Sequence, residues 1–183
     1  IPSDAKVEIQ RRVNQGGGPA ATATYAAQTL GAKTAFIGVA GDDESGQGIL
    51  REFRECGVDV SAMAIRAGFE SAVTFCWAEQ NTGRRSIAWA RGNAAPMQPE
   101  EVDLAVVRSS RALHLDGHQT AAAMHAAKAA RAAGVTVCLD AGTMVPGIGD
   151  LLAQCDLVIA SASFAQEFTG CRNLDAALKA LHL

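Results

Sequence analysis

Net positive charge, paired cysteines and long apolar runs are all missing from this chain of 183 residues. Sixteen basic against nineteen acidic residues give a formal net charge of −3, which argues against a general electrostatic grip on nucleic acid. The five cysteines show neither CxxC nor Cys/His metal spacing, as is typical of small buried thiols in a reducing compartment. No apolar run reaches the ~18–20 residues that cross a bilayer, and no signal peptide is recognisable. We therefore predict a soluble, cytoplasmic protein that binds neither nucleic acid nor membrane.

Aromatic residues are also few, at 5% of the chain, whereas apolar residues make up 49% and charged residues 19%. This is ordinary globular composition, and 183 residues are enough to bury a sizeable core. We expect a single domain over residues 1–183. The chain opens at Ile1 without an initiator Met and stops at Leu183 within a helical pattern, so we also expect it to be incomplete at both ends.

Glycine is plentiful where it matters, in two segments near the start of the chain. Residues 16–31 read GGGPAATATYAAQTLG, and residues 38–48 read GVAGDDESGQG. Glycines at a helix start allow a ligand to approach the backbone, where the first N–H groups are donors without partners. A turn of this kind also serves tight strand–helix packing, so the segment alone does not decide between the two interpretations.

Alternating short apolar strands and helices along the rest of the chain predict an α/β fold with a mostly parallel sheet. Residues 71–79 and 85–90 alternate around Asn81-Thr82-Gly83, a turn signal, and predict a hairpin that contains both tryptophans and projects as a flap. Pro99, followed by two glutamates, predicts a helix start.

Polar residues follow four of the predicted strands, where ligands of parallel sheets gather. Asp42 and Asp43 follow the first strand, and helix capping explains one of the pair. Asp116 has two interpretations, ligand binding or capping of the helix near Thr120. Asp140 follows an apolar strand and precedes a glycine, and packing does not require a carboxylate there. Ser161 is most simply a helix start.

Several segments, taken together, resemble the ribokinase-like (PfkB) family of sugar kinases over essentially all 183 residues. They are the two glycine segments, the hairpin TFCWAEQNTGRRSIAWARGNA, and the segments HLDGH, VCLDAGT and DLVIASASFAQEFTG. The first of them is most similar to the sulfofructose kinase and ketohexokinase branches, which favours a ketose or an anionic ketose derivative as substrate.

The resemblance implies a three-layer α/β/α sandwich with a mostly parallel central sheet and a small β-sheet lid, formed by residues of about 1–15 and 70–92. It implies phosphoryl transfer from ATP, with Mg²⁺, to a sugar, and a homodimer formed through the lid. By the same resemblance the sugar is bound by Gly17, Gly18, Thr22, Asn93 and Asp116, and the magnesium nucleotide faces Asp140 and Ser161. We assign no metal ligand.

The chain departs from the family pattern at three places. Thr22 stands where the family usually has Asn, and Ser161 and Phe164 stand where Asn and Glu are frequent. The Gly-Ala-Gly-Asp motif, whose Asp is the family's catalytic base, does not occur within these residues. We therefore assign no catalytic residue, place the base beyond residue 183, and expect these 183 residues alone to be inactive.

Two alternatives stay open. A nucleoside kinase would need an aromatic clamp for the base, which the single Tyr25 and the sparse aromatic content disfavour. A catalytically inactive sugar-binding or dimerisation module would keep the fold without the chemistry.

Overall fold

The computed structural model describes residue 4 and residues 6–181. Within them, helices and strands alternate along the chain. The helices are α1 (Pro19–Thr29), α2 (Glu44–Cys56), α3 (Leu104–Ser109), α4 (Thr120–Ala132), α5 (Ile148–Leu152), α6 (Ala162–Thr169) and α7 (Leu174–Leu181). The strands are β1 (Gly38–Gly41), β2 (Met63–Arg66), β3 (Val73–Ala78), β4 (Arg85–Ala90), β5 (Ala112–Leu115), β6 (Thr136–Ala141) and β7 (Leu157–Ala160).

Strands β5, β6 and β7 form a parallel sheet in that order, with Leu115 opposite Leu139 and Ala141 opposite Ala160. The alternation of side chains across β6 sends Val137 and Leu139 to one face, where neither has any exposed surface. Helix α4 packs on this face through five buried alanines: Ala122, Ala123, Ala126, Ala127 and Ala130. Because alanine is small, the helix approaches the sheet closely.

Strands β1 and β2 form a second parallel pair, with Val39 opposite Ala64. Val39 and Ala64 pack against the same core as β6, whereas the neighbouring Ala40 is buried on the opposite face, to which α2 adds Leu50 and Phe53. Helix α1 contacts both α2 and β5. Helices therefore lie on both faces of the strands, as the three-layer prediction requires.

Strands β3 and β4 form the predicted antiparallel hairpin, and their register places Phe75 opposite Ala88 and Thr74 opposite Trp89. Residues opposite each other share a face, so Val73, Phe75 and Trp77 lie on one face and Ile87 and Trp89 on the other. The hairpin is apolar on both faces, and all of β4 is exposed.

Two expectations differ from the structure. Pro99 opens only a 3-10 turn, Pro99–Glu101, and the helix proper begins at Leu104, where the Asp103 carboxylate accepts hydrogen bonds from the N–H groups of Ala105 and Val106. Residues 6–15 form no helix or strand, and residues 1–3 and 5 lie outside the described part, so the amino-terminal share of the lid stays a prediction.

Among the helices of the described residues, none combines the length and the apolar character that a membrane span requires.

Candidate functional site

The amino-terminal end of α1 lies against the carboxyl end of β5. Gly18 precedes the helix with φ of 99°, a conformation that favours glycine, and Pro19 occupies the first turn. The Ala20 N–H donates to Asp116 Oδ2 at 3.3 Å, and the other oxygen of Asp116 accepts from the His118 N–H at 3.1 Å. The carboxylate of Asp116 thus sits at the helix start, 96 residues from it in the chain.

Gly17 is a glycine that the fold does not require. Its φ is not positive, and a Cβ built there meets no atom within 4 Å. Among the described residues, the N–H groups of Gly17, Gly18 and Ala21 have no hydrogen-bond partner. Backbone donors beside an unobstructed glycine suit a ligand with hydroxyl or anionic oxygens.

Asp140 and Ser161 continue the same edge, at the carboxyl ends of β6 and β7. The Asp140 carboxylate accepts no hydrogen bond from any described residue, while its backbone lies opposite Ile159 in the sheet. Ser161 Oγ accepts from the Phe164 N–H at 3.2 Å, so it caps α6 as its helix-start interpretation predicts. Asp116, Asp140 and Ser161 therefore stand in a row along one sheet edge.

The capping interpretation of Asp116 is wrong, because a different residue precedes α4. Gln119 stands there with φ of 55° and no capping side-chain bond, and its Oε1 instead accepts from the Met97 N–H at 2.9 Å. This bond ties the segment after the hairpin to the loop that carries Asp116.

The base of the hairpin is joined to the start of α2. Asp43 caps α2 by accepting from the Gly46 N–H at 2.9 Å, and it also accepts from the Ser71 hydroxyl at 2.6 Å and from the Ser71 N–H at 3.0 Å. Ser71 is 5% exposed, and its Oγ accepts from the Gly41 N–H, so it also connects the hairpin base to the end of β1. The bond from the Ser71 hydroxyl contributes most to lowering the pKa of Asp43, and together these bonds hold that pKa below its usual value.

Asn93 closes the hairpin base from the other strand. Its Oδ1 accepts from the Glu70 N–H at 2.6 Å, while its own N–H donates to the Glu70 carbonyl at 3.1 Å. The Asn93 Nδ2 group has no partner among the described residues. Asn93 thus has a clear structural role, and its amide donors remain available to a ligand.

Thr22 lies on a different side of α1 from the Asp116 contact. It follows Ala20 by two positions, about 200° around a helix of 3.6 residues per turn, and it lines a cavity of about 160 Å³ between α1 and α2. The other residues that line this cavity are Gln15, Gly16, Ala21, Tyr25, Ile49, Glu52 and Phe53.

Sequence reasoning missed Ser71, Glu52 and Gln119. Each acts through a hydrogen bond to backbone more than 20 residues away in the chain. Only the pairing of distant segments reveals such contacts, and no local motif marks them.

With this geometry in view, comparison with known proteins identifies the family. A model described as "pfkB family carbohydrate kinase" matches residues 2–183. The chain belongs to the PfkB family. An ATP-dependent ribose-1-phosphate kinase from Halopiger xanaduensis is 29% identical over 161 residues, which are 87% of this chain and 54% of that protein. A 5-dehydro-2-deoxygluconokinase from Shouchella clausii is 36% identical over 133 residues, 71% of this chain and 40% of that protein.

Comparison with solved structures identifies the fold. The crystal structure of a candidate ribokinase from Agrobacterium tumefaciens superposes with a TM-score of 0.85 at 27% identity, over 100% of this chain and 60% of that one. The ribokinase-like fold is confirmed. The chain spans about half the length of the curated relatives it matches.

One PfkB departure has a structural consequence. Phe164 is 1% exposed, and its ring lies 5.8 Å from that of Phe168 in a stacked arrangement. Position 164, where the family resemblance leads us to expect an acidic residue, is therefore part of the core here. At this edge of the sheet, the Asp140 carboxylate is the one that has no partner among the described residues. A single carboxylate together with the phosphates of a nucleotide is a suitable set of oxygen ligands for Mg²⁺.

Proposed function

We propose that the protein transfers the terminal phosphoryl group of ATP to a hydroxyl of a sugar or sugar derivative. The observation that carries this proposal is the contact of Ala20 with Asp116, because it joins the unobstructed glycine turn to a carboxylate on the strand edge. Membership of the PfkB family and the "ATP-dependent" kinase among its relatives support the reaction type.

In this proposal the sugar lies over the start of α1. The N–H groups of Gly17 and Gly18 donate to its oxygens, and Asp116 accepts from its hydroxyls. A carboxylate has about four acceptor positions, and two of those on Asp116 are used by the backbone, so room remains for sugar hydroxyls. The Nδ2 group of Asn93 supplies a further donor, and Thr22 is assigned to the same site by resemblance alone.

The nucleotide lies farther along the edge, against Asp140 and Ser161. Mg²⁺, when bound with ATP, neutralises charge on the phosphates. Asp140 would hold it, and Ser161 would orient the adjacent phosphate oxygens. Positioning and charge stabilisation supply nearly all of the catalysis of phosphoryl transfer, and these are the contributions that we assign to the chain. No residue of the chain is assigned as the acceptor of the hydroxyl proton.

The hairpin would cover the sugar with one of its two apolar faces, since a kinase gains from excluding water. The opposite face would pack on a second copy of the chain, which gives a homodimer through the lid. We further propose that the protein acts in the cytoplasm, because all five cysteines are free thiols.

The test uses the full-length protein. A thermal-shift screen of ketoses, sugar phosphates, sulfonated sugars, gluconate derivatives and nucleosides, each with a non-hydrolysable ATP analogue, identifies the acceptor, because ligand at a hundredfold excess over Kd stabilises by about 2.7 kcal/mol. ADP production with that acceptor then measures turnover. Binding without turnover would favour the inactive module, and a response to nucleosides alone would contradict the sugar assignment.

The variant Gly17→Ala locates the sugar. A methyl group there meets no protein atom, so we expect normal folding. The methyl group would obstruct the approach of the sugar to the backbone N–H groups, and the weakened hydrogen bonds should lower acceptor affinity about tenfold or more. Gly48→Ala is the matched control. Its Cβ has one neighbour within 4 Å, an Arg51 side-chain nitrogen at 3.9 Å, and its place in α2 predicts unchanged activity with slightly higher stability.

A further inference from the structure

Glu52 reaches from α2 to the segment just before the glycine turn. Its Oε2 accepts from the Gly16 N–H at 2.6 Å, across 36 residues of chain. Among the described residues this is the only hydrogen bond between α2 and residues 15–18. The neighbouring Leu50 and Phe53 are buried in the core, so the part of α2 that carries Glu52 is firmly held in place.

The contact depends on both partners. A Cβ on Gly16 would lie 3.1 Å from Glu52 Oε2, which is closer than about nine in ten real contacts of a Cβ atom, so the Glu52 carboxylate would have to shift by a few tenths of an ångström. Glycine at position 16 therefore permits the short bond. A carboxylate that accepts from backbone N–H makes a bond about twice as strong as one between neutral groups.

A cavity lies beside this hydrogen bond. Glu52 and Gly16 both line the cavity of about 160 Å³ between α1 and α2. The cavity leaves space beside Gly16 into which the turn has room to move when this bond is absent. The next residue is Gly17, whose N–H has no partner among the described residues.

We propose that Glu52 is a positioning residue for the acceptor site: it holds Gly16 so that the N–H groups of Gly17 and Gly18 face the sugar. This inference rests on the proposed function, and Glu52 itself does not touch the sugar. Removing the carboxylate should weaken acceptor binding while leaving the nucleotide side, which lies at β6 and β7, unaffected.

The kinetic test compares three variants of the full-length protein, Glu52→Ala, Glu52→Gln and Glu55→Ala. For Glu52→Ala we expect the acceptor KM to rise about tenfold, with kcat and the KM for ATP within about twofold of wild type. Glu52→Gln keeps an acceptor oxygen without the charge and should fall between. Glu55 is exposed on the same helix and makes no side-chain hydrogen bond to a described residue, so Glu55→Ala should match wild type.

A second measurement does not depend on activity. Amide exchange of protein labelled with ¹⁵N-glycine reports on Gly16 directly, and Glu52→Ala should accelerate exchange there about tenfold relative to wild type and to Glu55→Ala. Should Glu52→Ala fail to fold, the intermediate behaviour of Glu52→Gln in both measurements carries the test.

The outcomes separate the two proposals. Unchanged exchange at Gly16 overturns the positioning role whatever the kinetics show, while the sugar assignment stands. Faster exchange with an unchanged acceptor KM also overturns it, because the turn is then held for another reason. A wild-type protein that binds no sugar overturns the proposed function, and the positioning role falls with it.

Discussion

The β5–β7 sheet and the β3–β4 hairpin use apolar residues in opposite ways. In the sheet, Val137 and Leu139 are fully buried beneath the alanines of α4. In the hairpin, Phe75 and Trp89 are 61% and 59% exposed, although they are among the largest side chains of the chain. The core beneath the sheet thus combines aliphatic side chains and Phe164 with the closely packed alanines of α4, and the two tryptophans lie outside it.

This difference shows what each region is for. Burial of an aromatic side chain stabilises a fold strongly, yet the hairpin forgoes that gain on both of its faces. Contiguous exposed apolar surface usually marks a binding site. The sheet therefore maintains the fold, whereas the hairpin exposes apolar surface, which is the feature that supports the proposed lid and dimer contact.

We expect the largest loss of stability from a substitution in the core. Phe164→Ala should lower the free energy of unfolding by about 3–5 kcal/mol, because it removes a buried ring and leaves a cavity. Urea unfolding at neutral pH measures the loss. A loss below about 1 kcal/mol would show that α6 does not share the core of the sheet.

In the hairpin we expect the reverse: a small change in stability and a large change in the association state. Trp89→Ala removes a ring whose centroid lies 4.9 Å from Arg91 Cζ, and exposed cation–π pairs contribute only ~0.5–1 kcal/mol. We therefore expect monomer stability to fall by less than about 1 kcal/mol, while sedimentation shows a shift from dimer to monomer. Leu157→Ala, which truncates an exposed side chain on β7, is the control and should leave the association state unchanged.

The junction between the hairpin base and the start of α2 depends on Asp43, and we expect its loss to have an intermediate effect on stability. Asp43→Ala removes the α2 cap and both bonds to Ser71, and loss of a cap costs ~1 kcal/mol. Because the folded state lowers the pKa of Asp43, its contribution is present above the unfolded pKa and is lost as pH falls through the folded value.

Urea unfolding at pH 7 and at pH 3 checks this prediction. Wild type should lose more stability between the two than Asp43→Ala does. Parallel pH dependence of wild type and variant would show that the Asp43 carboxylate does not stabilise this junction. Asp42→Ala is a suitable comparison, since it deletes only the bond from the Gly68 N–H and should have the smaller effect.

The sequence predicted the parts of the fold that local signals define. Helices α1 and α2 each end shortly before a glycine, Gly31 and Gly57, and glycine is a common local stop signal for a helix. The hairpin turns at Asn81-Thr82-Gly83, as predicted. The register of the hairpin was beyond local patterns, because the pairing of Phe75 with Ala88, and not either strand alone, sends the tryptophans to opposite faces.

The candidate site divides in the same way. The position of Asp116, Asp140 and Ser161 at the carboxyl ends of β5, β6 and β7 could be predicted, because polar residues after apolar parallel strands meet at one sheet edge. Their binding roles stay predictions. The partners that hold the site were not found. Asn93 binds the backbone of Glu70, and Glu52 binds that of Gly16, and backbone N–H groups have no residue-specific signature in a sequence.

Cysteine reactivity gives the finest comparison of the two regions. Burial raises the pKa of the Cys155 thiol to about 11, and the nearby Asp156 carboxylate adds to the shift, whereas Cys76 is exposed on the hairpin. The thiolate is the reactive form, and at pH 8 only about a thousandth of Cys155 carries it. Iodoacetamide should therefore modify Cys76 at least about tenfold faster than Cys155, as peptide mass spectrometry can follow.

The variant Cys76→Ser should remove the rapid reaction at that site and leave Cys155 unchanged. Equal rates at the two cysteines would mean that the region around β6 and α5 opens as readily as the hairpin, which would contradict the division between a closed core and an exposed lid.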